Sequence, residues 1–190
     1  MQRVLLVLLF SLIATAPALA ARARVAVDVR RAGDTFSINA TLFAPVPLDL
    51  AWEVLTDFEH MEQFVPNVSD SRIIAREGQR LTIAQRGVAR FGPLTFPFES
   101  ERVVELSQRS EILSSQIKGN MRRLESVTRF ATMEGGTQLS YRVDVEPRAW
   151  FPAALTERFL VHEIEEQFQA IVEEMIRRQR SRRDRERPSD

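Results

Sequence analysis

Ala44-Pro-Val-Pro-Leu-Asp-Leu-Ala-Trp-Glu-Val-Leu-Thr-Asp-Phe-Glu-His-Met-Glu-Gln-Phe-Val-Pro-Asn-Val-Ser-Asp-Ser-Arg72 is the stretch whose reading decides the fold. A strand-like run, Thr35 to Ala44, stops at two prolines. Leu48, Trp52 and Leu55 then recur at helical spacing, with Asp49 in the first turn, where a carboxylate suits the helix dipole. A second short helix carries Phe58, Met61, Phe64 and Val65 on one edge and takes Asp57 as its N-cap, before Pro66 breaks it. A polar turn leads into a new strand. Two short helices inserted after a first strand predict the lid of a hollow single domain, an architecture suited to holding an apolar molecule.

Upstream, Val25–Val29 and Thr35–Leu42 alternate apolar and polar residues around Ala32-Gly-Asp34, which reads as an opening hairpin or one bent strand. Downstream, strands are predicted at 71–76, 80–86, 94–106, 111–118, 122–133 and 137–145. Glu77-Gly78, Gly119-Asn120 and Gly135-Gly136 are the clearest turns among them. Consecutive strands joined by short turns imply an antiparallel meander, since parallel pairing needs long crossovers. After Pro147 the apolar positions Leu155, Phe159, Leu160, Ile164, Phe168, Ile171, Val172, Met175 and Ile176 advance in steps of three and four. That stripe predicts one long helix, which must lie on the concave face of the sheet. The expected class is α+β: a curved sheet of six to seven strands wrapped around a C-terminal helix.

Val4–Ala14 form an apolar run behind Arg3, and Ala16-Pro-Ala-Leu-Ala20 ends in the small-x-small pattern of signal-peptidase sites. Residues 1–20 therefore read as a signal peptide. Cleavage falls after Ala20, or after Ala23, where the pattern repeats; the alternative is an uncleaved membrane anchor. The expected location is periplasmic or secreted. A domain over 21–176 and an arginine-rich tail over 177–190 complete the division. The chain has no cysteine, which removes disulfides, thiolate catalysis and cysteine-ligated metals. The roughly 170 residues left after processing make one domain able to bury about 70% of its unfolded surface.

The net charge of zero hides an uneven distribution. The tail holds seven arginines against three acidic residues, while the domain is net acidic. A nucleic-acid partner is not expected from such a body. The tail reads as frayed helix or disorder in solvent, with transient contact to an anionic membrane surface as the other reading.

Pro47, Val54-Leu55, Asp57-Phe58-Glu59 and Phe64-Val65-Pro66, followed by Gly135-Gly-Thr-Gln-Leu-Ser-Tyr141, resemble a pattern found in the START-like (SRPBCC) helix-grip superfamily. The likeness is strongest to its polyketide cyclase/dehydrase and lipid-transport branch, which includes Coq10-type ubiquinone-binding proteins. It spans nearly all of the mature chain. The resemblance implies a cavity for a lipid, isoprenoid quinone or polyketide-like molecule, and it implies carriage or, in some members, cyclisation or dehydration. The matched residues are structural, so it nominates no catalytic residue.

The strand over 94–106 should turn Phe96, Phe98, Ser100, Arg102, Val104 and Leu106 inward. Arg102 is then an arginine on an apolar face. It anchors a ligand oxygen, or pairs with an internal carboxylate, or faces water at a bulge. Tyr141, the only tyrosine, either meets a ligand oxygen or is a core residue. The expected ligand-binding set is Arg102, Tyr141, Phe96, Phe98, Phe130, Thr128, Trp52, Phe64, Phe159 and Phe168, with Ser126 and Gln85 as further polar points. Entry is expected past the lid, near Trp52 and Phe64. His162 and Glu166 have metal-compatible spacing on one helix face, but two groups are too few. No metal, cofactor or catalytic residue is expected, and the stretch His162–Glu166 reads as a solvated face. The expected function is carriage of a hydrophobic small molecule. A cyclase or dehydratase, and a filled, ligand-free module that binds a protein or a membrane surface, are the alternatives.

Overall fold

The structure is a computed structural model that describes residues 24–147 and 153–186. The signal-peptide reading lies outside the described residues. Eight strands form one antiparallel sheet: β1 (Arg24–Ala32), β2 (Thr35–Ala44), β3 (Val68–Glu77), β4 (Arg80–Phe91), β5 (Leu94–Ser107), β6 (Glu111–Gly119), β7 (Met121–Met133) and β8 (Gly136–Pro147). Their spatial order is β1-β2-β8-β7-β6-β5-β4-β3. The count exceeds the six to seven expected because the opening segment is a true hairpin, turning at Gly33 with φ of 63°. Between β2 and β3 lie helix α1 (Leu48–Leu55) and a 3-10 helix (Phe58–Gln63); helix α2 (Ala153–Glu186) closes the fold.

Alternation builds the sheet. In β2, Phe36, Ile38, Ala40, Leu42 and Ala44 are buried, and each intervening side chain is less covered. Pro47 supplies the extended N-cap of α1, and the Thr56 hydroxyl closes its other end by donating to Trp52 O at 2.9 Å. The entry to α1 is fixed to β8, where the fully buried Thr137 hydroxyl donates to Val46 O at 2.9 Å.

The core divides into two clusters. The larger joins α1 (Leu50, Ala51, Val54), the 3-10 helix (Phe58, Met61), the sheet (Leu81, Ile83, Val104, Leu139) and the second half of α2 (Phe168, Ile171, Val172, Met175). Val172 and Met175 are 0% exposed. The smaller holds Phe36, Ile38, Val143 and Val145 where β2 and β8 run together, with Leu160 and Ile164 of α2 against it. A truncation such as Met175→Ala would cost about 2–5 kcal/mol.

The arginine-rich segment is corrected: it is helix through Glu186, not frayed chain. Acidic groups of the lid, not apolar packing, order it. Arg178 donates to Asp57 Oδ2 and Glu174 Oε1, both at 2.6 Å, and lies 5.6 Å from the Phe64 ring centroid. Arg182 donates to Glu53 one turn further on.

Burial alone would raise the Asp57 and Glu174 pKa values. Hydrogen bonds from His60 and Arg178 to Asp57, and from Arg177 and Arg178 to Glu174, outweigh it and hold both below the ordinary carboxylate range. Their contribution to stability is therefore present above about pH 4 and is lost as pH falls through the lowered native values. His60, raised by its hydrogen bond to Asp57, contributes in the opposite sense: its share is present below about pH 6.5 and is lost as pH climbs through the raised value. Arg178→Met is expected to lower unfolding free energy at neutral pH by about 1–3 kcal/mol. It should also flatten the acid limb of stability against pH. Urea unfolding across pH measures both; an unchanged acid limb would contradict the linkage.

Candidate functional site

The first half of α2 stands off the sheet. Between them is a cavity of about 660 Å³, lined mainly by apolar groups including Ile38, Phe96, Phe98, Val143, Phe159 and Leu160. A second chamber of about 140 Å³ lies deeper, against Leu55, Phe58, Met61, Ile112, Phe168 and Ile171. Val68, Gln85, Arg102, Tyr141, Ile164 and Gln167 line both, so a mostly polar waist separates an outer apolar hall from an inner one.

Arg102 is built into that waist by its neighbours. Ser71 donates to Phe58 O, Gln85 Nε2 donates to Ser71 Oγ at 2.9 Å, and Gln85 Oε1 accepts from Arg102 Nη2. This relay fixes the amide of Gln85 and hangs the guanidinium from the lid. Arg102 Nε is buried without a hydrogen-bond partner. Burial pushes the guanidinium pKa down, and Tyr141 is the group that counters it; no carboxylate acts on it among the described residues. Among the described residues Arg102 therefore pairs with no internal acid. Tyr141 is edge-on to Phe168, with ring centroids 5.1 Å apart. Burial raises its pKa, while Arg102 and a hydrogen bond with Ser126 lower it, so the phenol stays protonated at neutral pH.

A further acid faces the cavity. Glu163 is only 5% exposed, and its Oε2 accepts from Asn67 Nδ2 at 2.5 Å. Burial raises its pKa, partly offset by the Asn67 hydrogen bond, so it holds its proton to higher pH than an ordinary glutamate. Gly87 makes this approach possible. A Cβ there would sit 1.9 Å from Asn67 O and 2.8 Å from the Phe98 ring, whereas the bare backbone lets Val88 N donate to Asn67 O at 2.9 Å. The reading of His162–Glu166 as a solvated face holds for His162 and Glu166, which are exposed, and fails for Glu163. The donor atoms of all three lie within 4.8 Å of one another. Two exposed groups beside one that Asn67 already holds do not make a metal site.

Six buried side-chain atoms lack a partner among the described residues: Asn67 Oδ1, Arg102 Nε, Ser114 Oγ, Gln116 Oε1, Asn120 Oδ1 and Glu163 Oε1. Every one belongs to a residue on the wall of one of the two chambers. Unpaired buried groups cost about 1–3 kcal/mol each. Their confinement to the cavity marks them as groups that meet a guest or solvent there.

Of the expected lining residues, Arg102, Tyr141, Phe96, Phe98 and Phe159 face the outer chamber, while Thr128, Phe168 and Ser126 face the inner one. Trp52, Phe64 and Phe130 are corrected. Trp52 and Phe130 stack on each other at 5.2 Å, and Phe64 lies beneath Arg178. Arg178 and Arg182 tie the lid, where entry was expected, to α2. Pro97 and Glu99 of β5 line the cavity and are exposed. Asn67, Gln116, Asn120 and Glu163 were not expected. Glu163 and Gln167 do interrupt the apolar stripe of α2 at positions four and eight after Phe159, and that was the available signal.

The family model described as polyketide cyclase / dehydrase and lipid transport matches residues 44–173. No curated protein matches the chain. Among solved structures, the Zhui aromatase/cyclase from Streptomyces sp. R1128 is similar with a TM-score of 0.65 and 18% identity, over 76% of this chain and 95% of that one. A STAR-related lipid transfer protein from Xanthomonas axonopodis gives a TM-score of 0.63 at 14% identity, over 80% and 93%. A START superfamily protein from Mycobacterium smegmatis gives 0.64 at 14%, over 74% and 97%. At these identities the likeness establishes the fold alone.

Arg102→Met replaces an underpaired buried charge by a side chain of similar length. In the ligand-free protein it is expected to be no less stable than the parent to within about 1 kcal/mol, as replacement of buried charges by apolar groups commonly is. Thermal unfolding measures this. A loss of several kcal/mol would show that the arginine supports the fold.

Proposed function

The chain belongs to the polyketide cyclase / dehydrase and lipid transport family, and from that premise we propose that it is an exported carrier for a hydrophobic small molecule with an oxygen-bearing end. One observation carries the reading: a half-buried arginine whose Nε is itself buried and without a partner, and on which no carboxylate acts among the described residues, stands in the wall of a largely apolar cavity of about 660 Å³. The volume lies in the usual range for small-molecule sites. Apolar contact with Phe96, Phe98 and Phe159 supplies affinity at about 25 cal/mol per Å² removed from water, less the costs of association. The guanidinium takes a carboxylate, carbonyl or other acceptor oxygen of the guest. That contact replaces the missing partner and fixes which end of the molecule goes in first. Export rests on the Arg3–Ala20 pattern of the sequence. The cavity also weakens the ligand-free alternative, since the phenylalanines border the space and do not fill it.

A second reading, a cyclase or dehydratase, is favoured by the Glu163 carboxyl. It faces the same cavity as Arg102 and Tyr141, and burial keeps it in the acid form to higher pH. A proton donor beside a bound hydroxyl is what dehydration requires.

Native mass spectrometry of protein taken from the periplasm of its own organism tests the carrier. The expected spectrum shows a bound apolar molecule, released intact and much reduced in Arg102→Met. Protein that is always empty, and stays empty with fatty acids, quinones and phospholipids, contradicts it. A guest released short by the mass of one water supports the enzyme instead.

A further inference from the structure

Asn67 and Glu163 form a second polar point on the cavity wall, contributed by the start of the sheet and the first half of α2. The contact uses the amide nitrogen of Asn67 and one carboxyl oxygen of Glu163: the Asn67 Nδ2 to Glu163 Oε2 bond leaves Asn67 Oδ1 and Glu163 Oε1 buried without partners among the described residues. Glu163 sits on the apolar stripe of α2, where an aliphatic residue would pack without cost. The contact also depends on a glycine at position 87, because any side chain there would collide with the Asn67 backbone.

The chemistry of the two leftover atoms restricts what fits between them. Asn67 Oδ1 only accepts. Glu163 Oε1 accepts when ionised, and both donates and accepts when protonated. A carbonyl or carboxylate oxygen can satisfy at most one of them, and then only with Glu163 protonated. A hydroxyl satisfies both when Glu163 is protonated, accepting from the carboxyl and donating its one hydrogen to Asn67 Oδ1; with Glu163 ionised it can donate to only one of the two. Arg102 makes the opposite demand, since its free Nε needs an acceptor oxygen.

We propose that Asn67 and Glu163 are a hydroxyl-reading subsite. The guest is therefore an apolar molecule with two separate oxygen functions: an acidic or carbonyl oxygen at Arg102 and a hydroxyl at Asn67–Glu163. This rests on the carrier reading above and narrows its ligand class. A plain hydrocarbon-tailed acid meets the first demand and leaves the second unmet. A hydroxylated acid or a hydroxylated ketone meets both.

The experiment compares stearic acid with a set of positional hydroxystearic acids, by calorimetry or displacement of a fluorescent fatty acid, on the full chain. At least one isomer is expected to bind about tenfold tighter than stearic acid, the size of one well-made hydrogen bond to a buried group. Glu163→Met should abolish that preference. Glu163→Gln, which keeps a donor at the same place, should retain part of it. If no isomer exceeds stearic acid by more than about twofold, or if the preference survives in Glu163→Met, the subsite is overturned and the carrier reading stands. If neither stearic acid nor any isomer binds, both fall. Should Glu163→Met fail to fold, the wild-type comparison alone decides the matter.

Discussion

Helix α2 is fully buried against the core only along its second half, and the rest of the structure depends on that asymmetry. Its second half drives Phe168, Ile171, Val172 and Met175 into a core shared with α1 and the sheet, and Arg178 and Arg182 bolt the same end to the lid. Its first half offers Leu160 and Ile164 to a smaller cluster, but places Glu163 and Gln167 where the apolar stripe would otherwise continue. A helix so anchored cannot settle into the sheet along its whole length. The space left beneath it is the cavity.

That space is costly to keep. Interiors pack to crystal-like density, and each unpaired polar atom in the wall adds to the penalty. The unpaired buried atoms found among the described residues are gathered there, which separates the part of the protein that secures folding from the part that receives a guest. The Phe58–Ser71–Gln85–Arg102 relay joins the two. It holds the guanidinium still without neutralising it, so the charge remains available for an oxygen that enters from outside. On the carrier reading, a guest would satisfy groups that folding left unsatisfied and would stabilise the native state increasingly as its concentration rises above its Kd.

Most of the architecture could be read from residue order. The prolines at 45, 47 and 66, the alternation in β2 and the stripe of α2 each have one physical solution. Arg102 could be read as well, because the period of two in β5 puts it on the same face as Val104. The rest needed three dimensions. Periodicity says that Trp52, Phe64 and Phe130 point inward, but not whether they meet a neighbour or a hollow; two of them meet each other. Glu163 was masked by the glutamates around it, and its burial depends on Asn67, nearly a hundred residues earlier, passing close over Gly87. The arginine-rich end looked unable to pack because its partners, Glu53 and Asp57, are remote in sequence.

The most direct measurement is the 15N–1H signal of the Arg102 guanidinium Nε, assigned by its loss in an arginine variant and followed as a fatty acid is added. A buried Nε–H that gains an acceptor should exchange slowly with water and move downfield in step with occupancy. If the guest binds and that signal stays where it was, the arginine does not hold the ligand and the central claim fails.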